Sequence, residues 1–204
     1  MKNILLSVRP KWCEKICCEI GKDKNSKPIY EKRIEVRKSK PSEVPFKCYI
    51  YCTKDRRNLL PIEHGKVLQK VNFWENTDAY YGFGKVIGEF ICNKVDEYTF
   101  SHYEAEYRVT HVEQKAMCLN QPELIRYGKG KTLYGWHISE LKIYEKPKEL
   151  SELWGRKNCL AAHTVECWNC FAACREINGK HYQPLTRPPQ SWCYIEETAL
   201  CTNK

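Results

Sequence analysis

Residues 30–41, read Tyr-Glu-Lys-Arg-Ile-Glu-Val-Arg-Lys-Ser-Lys-Pro, constrain the fold more than any other stretch of this chain. Ile34 and Val36 alternate with Arg33, Glu35 and Arg37, so a strand here turns two aliphatic side chains to one face and three charges to the other. The aliphatic face demands a core to cover it. The charged face, with Lys32 beside it, can hold an anion or a polar base edge, or it can face water. The second use is the ordinary one for alternating charge on a half-buried strand.

Around this strand the chain alternates short strands with short helices. Residues 4–8 read as a first strand, and Pro10 starts a helix that ends before Gly21. Cys13, Ile16, Cys17 and Ile20 fall at i, i+3, i+4 and i+7 on that helix, which makes a core-facing stripe of thiols and isoleucines. Residues 21–28 are polar and read as a loop. In residues 46–53, Tyr49, Tyr51 and Thr53 alternate against Cys48, Ile50 and Cys52, the pattern of a strand. Residues 55–83 lack periodicity and hold Trp74, Tyr80 and Tyr81, which anchor a long loop on the core or stack a base. Residues 84–95 are apolar on both faces, as in a central strand, and Gly88 allows a barrel bend or bulge, or the close approach of another backbone or a ligand.

Residues 111–118 read as a short helix. A second follows, with Asn120 as cap, Pro122 in the first turn, Glu123 at the capping-box position and Gly128 after the end. Residues 132–144 are strand material carrying Trp136, Ile138 and Ile143, with His137 as a sheet histidine, and Pro147 ends that element. A turn or short helix at 150–153 and a final strand at 191–196 complete the reading. Helices inserted between strands give a mixed α+β class.

At 204 residues the chain is long enough for one domain with a substantial core and no disulfides. Its 34 Lys and Arg against 25 Asp and Glu give a net charge of +9, which makes polyanions the first partner class to consider. The apolar start is too short for a signal-peptide core, and no run approaches membrane-spanning length. A cytoplasmic, reducing location is therefore expected. The 13 cysteines then point to buried thiols, a metal, or both.

Residues 155–185 form a cysteine-rich insertion. Cys167-Trp-Asn-Cys170 has the spacing of a metal knuckle, and Cys159 with Cys174 or His163 can complete a tetrahedral shell for structural zinc. Reduced thiols packed on the domain and a redox pair are the two other readings that the spacing leaves open.

Lys32-x-x-Glu35-x-Arg37, preceded by a strand, a helix and Gly21, resembles the Gly-x-Lys-x-x-Glu-x-Arg signature of the ASCH domain, a PUA-like β-barrel. In the family the Gly stands next to the Lys; here residues 22–31 separate Gly21 from Lys32. The Ser7-Val8-Arg9-Pro10 start, the Tyr134-Gly-Trp-His137 stretch and the Arg187-Pro-Pro-Gln-Ser-Trp192 ending are similar to those of ASCH proteins of phage and prophage origin. The resemblance implies a single mixed β-barrel domain over residues 1–204 with short helices, the cysteine insertion lying outside the shared domain.

It also implies a cleft for RNA or a modified nucleoside, into which Lys32, Glu35 and Arg37 project and which Trp136 borders. Arg37 suits paired hydrogen bonds to phosphate or a base edge, Lys32 is a point charge, and Glu35 can accept from an exocyclic amine. The alternative is an amidohydrolase acting on N4-acylated cytidine. Lys32 then falls on the family's catalytic lysine, Glu35 holds its threonine position, and Glu106, Glu113 and Glu123 are candidates for a third carboxylate. An ASCH ribonuclease is a further enzymatic option, although no His pair stands out. A third class is a protein-interaction module stabilised by zinc.

Overall fold

The computed structural model describes residues 1–55, 58–68, 80–156, 175–177 and 180–196. The chain opens with β1 (Lys2–Val8) and α1 (Pro10–Cys17), turns through a hairpin of β2 (Glu19–Lys22) and β3 (Pro28–Tyr30), and enters the charged strand β4 (Ile34–Arg37). β5 (Phe46–Cys52) follows, then a small sheet of β6 (Pro61–Glu63), β7 (Lys66–Val67) and β8 (Tyr80–Tyr81). β9 (Val86–Cys92), β10 (Val95–Tyr98) and the ribbon of β11 (Phe100–Ser101) and β12 (Glu106–Tyr107) lead to α2 (His111–Met117) and α3 (Gln121–Gly128). β13 (Leu133–His137), β14 (Ser139–Lys148), a 3₁₀ turn at Leu150–Glu152, β15 (Trp154–Arg156), β16 (Arg175–Ile177), β17 (Lys180–Pro184) and β18 (Trp192–Glu196) complete the described chain.

An eight-stranded sheet in the order β14-β9-β5-β1-β18-β15-β17-β16 is the frame, and a three-stranded sheet, β10-β13-β4, packs over it. The alternation in β5 places Cys48, Ile50 and Cys52 on the inner face with Ile4, Leu6, Phe90 and Trp136. Tyr49 and Tyr51 lie on the outer face with Leu5, Tyr144 and Ile195. Ile34 and Val36 of β4 face a separate cluster built from Tyr98, Tyr107, Met117, Leu124 and Leu133. β4 is therefore a wall between two cores. The class is mixed α+β and mostly sheet, with three short α-helices among the described residues.

The helices end where their caps dictate. Thr110 and Glu113 form a capping box at the start of α2, and Asn120 with Glu123 does the same for α3. Cys13, Ile16 and Cys17 bury the inner face of α1 as their spacing predicts. The helix stops at Cys17 and not just before Gly21, and Ile20 is exposed on β2. The polar stretch after Gly21 is a hairpin turn, because the Asp23 carboxylate accepts from the backbone N–H of Asn25 at 2.8 Å and of Lys27 at 2.9 Å.

Two stretches read as single strands each divide between sheets. Residues 84–95 become β9 and the start of β10, and residues 132–144 become β13 and part of β14. Pro147 does not end β14. It sits inside that strand, which lies at the edge of the large sheet, where a residue without an N–H costs no ladder bond.

Gly88 is where β14 comes closest. A Cβ there would lie 2.4 Å from the Lys142 carbonyl oxygen, and the β14–β9 register shifts on both sides of the contact. Gly88→Ala is expected to cost about 1–3 kcal/mol by forcing the two backbones apart, checked by the urea unfolding midpoint.

Candidate functional site

β4 turns Glu35 and Arg37 away from the Ile34 and Val36 core, as alternation requires, but this face does not meet water. Lys32, Glu35 and Arg37 are 2%, 5% and 9% exposed. Arg33, the third charge that the alternation assigned to this face, is exposed. The neighbouring strand β13 pairs antiparallel with β4 and sets Trp136 opposite Glu35 and Tyr134 opposite Arg37.

The three buried charges form a chain. Arg37 Nη2 lies 2.7 Å from Glu35 Oε1, and Lys32 Nζ lies 3.4 Å from Glu35 Oε2. Each cation also donates to a backbone carbonyl. Lys32 Nζ reaches the Met117 oxygen at 2.6 Å, at the C-terminal end of α2, and Arg37 Nη2 reaches the Ser7 oxygen at 2.9 Å, near the end of β1. The ring of Trp12 covers the ammonium, with Lys32 Nζ 5.0 Å from its centroid. Backbone bonds fix the entry to β4 as well: Lys32 N–H donates to Lys15 O and Arg33 N–H to Ala116 O.

Two basic side chains and one acidic side chain share this buried cluster. Burial lowers the Lys32 pKa from its ordinary value, opposed in part by Glu35. Two buried donors, Arg37 Nε and Trp136 Nε1, have no hydrogen-bond partner among the described residues. Unpaired buried donors of this kind are costly and call for an acceptor. The arrangement can therefore take up a group that brings lone pairs or negative charge.

Aromatic rings lie near the cluster. Trp136 is fully buried between Phe46 and Trp192, with edge-to-face centroid distances of 5.1 Å and 5.8 Å. Its indole therefore lies inside the packing of β5 and β18. Trp192 is only half-buried, and its indole N–H donates to Ser39 Oγ at 2.9 Å. Tyr127 of α3 lies in the field of Arg37 and Glu35, and burial raises its hydroxyl pKa first of all.

Trp12 lies over Lys32, Tyr127 near Arg37 and Glu35, and Trp192 against Trp136, and of these the sequence motifs contained only Trp192. Trp12 had a faint signal, because it sits beside the Cys13 stripe but outside it. Nothing local connects Tyr127 to β4, since α3 is about ninety residues away along the chain.

Of the candidate third carboxylates, Glu113 and Glu123 are occupied as helix caps and Glu106 is exposed on β12. Glu113 also accepts from Tyr98 at 3.2 Å. His137 is a sheet residue with Nε2 2.7 Å from Asp96 Oδ2. Cys159, His163, Cys167, Cys170, Cys174 and Trp74 lie outside the described residues. The flanks of the 155–185 segment supply β15, β16 and β17 to the large sheet. Among the described residues no group of three or more His, Cys, Asp or Glu is placed to hold a metal, and no helix is long and apolar enough to cross a membrane.

No protein-family model matches the chain, and no curated protein matches it. Among solved structures, a mutant ZmASCH protein from Zymomonas mobilis aligns with TM-score 0.49 and 12% identity, over 96% of this chain and 91% of that one. The ASCH protein from Zymomonas mobilis aligns with TM-score 0.43 and 12% identity, over 96% of this chain and 88% of that one.

Proposed function

We propose that the Lys32–Glu35–Arg37 cluster binds a nucleobase of RNA or of a modified nucleoside. The observation that carries this reading is the surplus of buried donors: Arg37 Nε and Trp136 Nε1 have no partner among the described residues, while both Glu35 oxygens are already engaged. A site so rich in donors favours a ligand edge that presents acceptors, such as the carbonyl and ring nitrogen of a base. The partly exposed rings of Trp12 and Trp192 offer stacking faces, and base stacking is worth roughly 1–3 kcal/mol per base. The net charge of +9 favours approach of a polyanion. Because the cluster is covered, a base enters only by moving a ring, and Trp12 over Lys32 is the first in its way.

An enzymatic form of this reading rests on Lys32. Burial lowers its pKa and so makes it a better base or nucleophile than a surface lysine, as amide hydrolysis of an N4-acylated cytidine requires. A module that binds protein partners, stabilised by zinc at Cys159, Cys167, Cys170 and Cys174, keeps its partner when the cluster is changed.

Arg37→Ala is a poor probe, because it removes a buried partner of Glu35 and would disturb the fold together with the site. Arg37→Lys keeps the charge and loses the fork. It is expected to weaken binding of cytidine or a short RNA by about 10- to 100-fold, with a nearly native circular dichroism spectrum. Unchanged affinity in that variant would remove the cluster from the binding site. Release of acetate from N4-acetylcytidine that vanishes in Lys32→Met would select the hydrolase, and binding without release a reader of bases.

A further inference from the structure

The outer face of the large sheet holds a cavity of about 550 Å³ that the charged cluster does not use. Its walls come from the end of β5, the turn before β9, the 3₁₀ turn at Leu150–Glu152 and the segment after β17. It lies on the Tyr49 and Tyr51 side of β5, whereas the Lys32–Glu35–Arg37 cluster lies over the Cys48, Ile50 and Cys52 side. We infer that this cavity binds a phosphate group through Lys54, Arg187, Ser151 and Thr186.

The polar lining is suited to a tetrahedral oxyanion. Arg187 supplies a fork of donors, Lys54 a point charge, and Ser151 and Thr186 two hydroxyls. Neither Lys54 nor Arg187 has an ion-pair partner among the described residues. The acid in the wall, Glu149, is held by Lys85 at 2.9 Å, so its charge is answered without either of those two cations. A phosphate brings three oxygen acceptors and up to two negative charges to this set of donors.

The cavity walls are fixed before any ligand arrives. Leu185 N–H donates to Leu153 O at 2.9 Å, Gly84 N–H to Cys52 O at 2.7 Å, and Ser7 Oγ to Pro189 O at 2.6 Å. The Lys54 stem lies flat over Gly84, where a Cβ would come within 3.0 Å of it and where φ is +74°. A side chain at that position would lift Lys54 from the rim. The volume falls within the range of small-molecule sites and takes a mononucleotide as readily as one unit of a strand. Both sources offer the same phosphate chemistry.

The test uses calorimetric titration with AMP, adenosine and a short oligouridylate on the full chain, the Lys54→Ala/Arg187→Gln double variant, and Arg37→Lys as a control. Both replaced side chains are exposed, so the double variant should unfold like the native chain. AMP affinity is expected to fall about tenfold or more in the double variant while adenosine is unaffected. If the phosphate belongs to a strand, the slope of log K against log salt for the oligomer should fall by about 1.4, the value for two lost contacts on a single strand. A loss confined to AMP assigns the cavity to free nucleotides, and the shallower slope assigns it to a strand. Arg37→Lys is expected to weaken adenosine and AMP alike through the base, so a ratio of AMP to adenosine affinity that stays native in Arg37→Lys and falls in the double variant separates the charged cluster from this cavity. Wild-type-like AMP binding and salt slope in the double variant, or no AMP binding to the native chain, would overturn the assignment.

Discussion

Glu35→Ala is expected to destabilise the protein by at least about 3–5 kcal/mol, the cost of leaving a buried charge without its partner. The carboxylate sits between Arg37 at 2.7 Å and Lys32 at 3.4 Å, so its removal strands two cations and not one. Neither can reach water without displacing Trp12 or the strands that cover β4, because Lys32 is 2% and Arg37 9% exposed. For a chain of this size, a few kcal/mol lowers the thermal midpoint by about 10 °C or more. Differential scanning calorimetry of Glu35→Ala against the native protein reads the effect directly. An exposed charged strand would lose less than about 1 kcal/mol on the same substitution. A shift of only a degree or two would therefore show that the face is solvated and would take the ligand site with it. Glu35→Gln should fall between the two, since an amide can still accept from Arg37 while carrying no charge.

Raising the pH from 8 to 10 under reducing conditions is expected to remove about 4 kcal/mol of stability through three thiols alone. Cys13, Cys17 and Cys48 are buried in the inner core, and burial raises the pKa of each above the ordinary 9.0. A folded-state pKa above the unfolded value means that the stabilising contribution is complete below the unfolded pKa and is lost as the pH climbs past it. Each thiol then contributes a loss of about 1.4 kcal/mol per pH unit above that point. Lys32 works in the other direction. Its pKa is lowered by burial, so its contribution is fullest above the ordinary 10.5 and is lost as the pH falls through the folded value. One lysine against three thiols leaves a net loss in this window. Urea midpoints at the two pH values measure it, and Cys48→Ala should flatten the decline by about a third. Equal midpoints would mean that water reaches the thiols in the native state.

The charged strand shows how far local pattern reaches. Alternation in residues 34–37 states which side chains share a face, and it states correctly that Ile34 and Val36 need a core. It cannot state what lies on the other side. That depends on β13 pairing with β4 and on the Met117 carbonyl, 85 residues from Lys32, meeting its ammonium. The same limit applies to the aromatic rings. Trp12, Tyr127 and Trp192 come from α1, α3 and β18, and their convergence is a property of sheet order.

The errors at element ends have a related cause. Residues 132–144 have continuous strand character, yet Ile138 donates its N–H to Arg33 O and marks the point where the chain leaves one sheet for another. Nothing in local propensity marks such a corner. Pro147 in β14 is tolerated for a topological reason, because only an edge strand can spare the donor.

The sequence by itself determined the mixed class, the helix α2, the capped helix α3, the alternation of β4 and β5 and the thiol stripe of α1. Each of these is a short-range consequence of periodicity or capping chemistry. Only the tertiary structure decided that Lys32, Glu35 and Arg37 are buried together with unpaired donors beside them, because burial is set by strands and helices that lie far apart in the chain and meet only when the sheets close over β4.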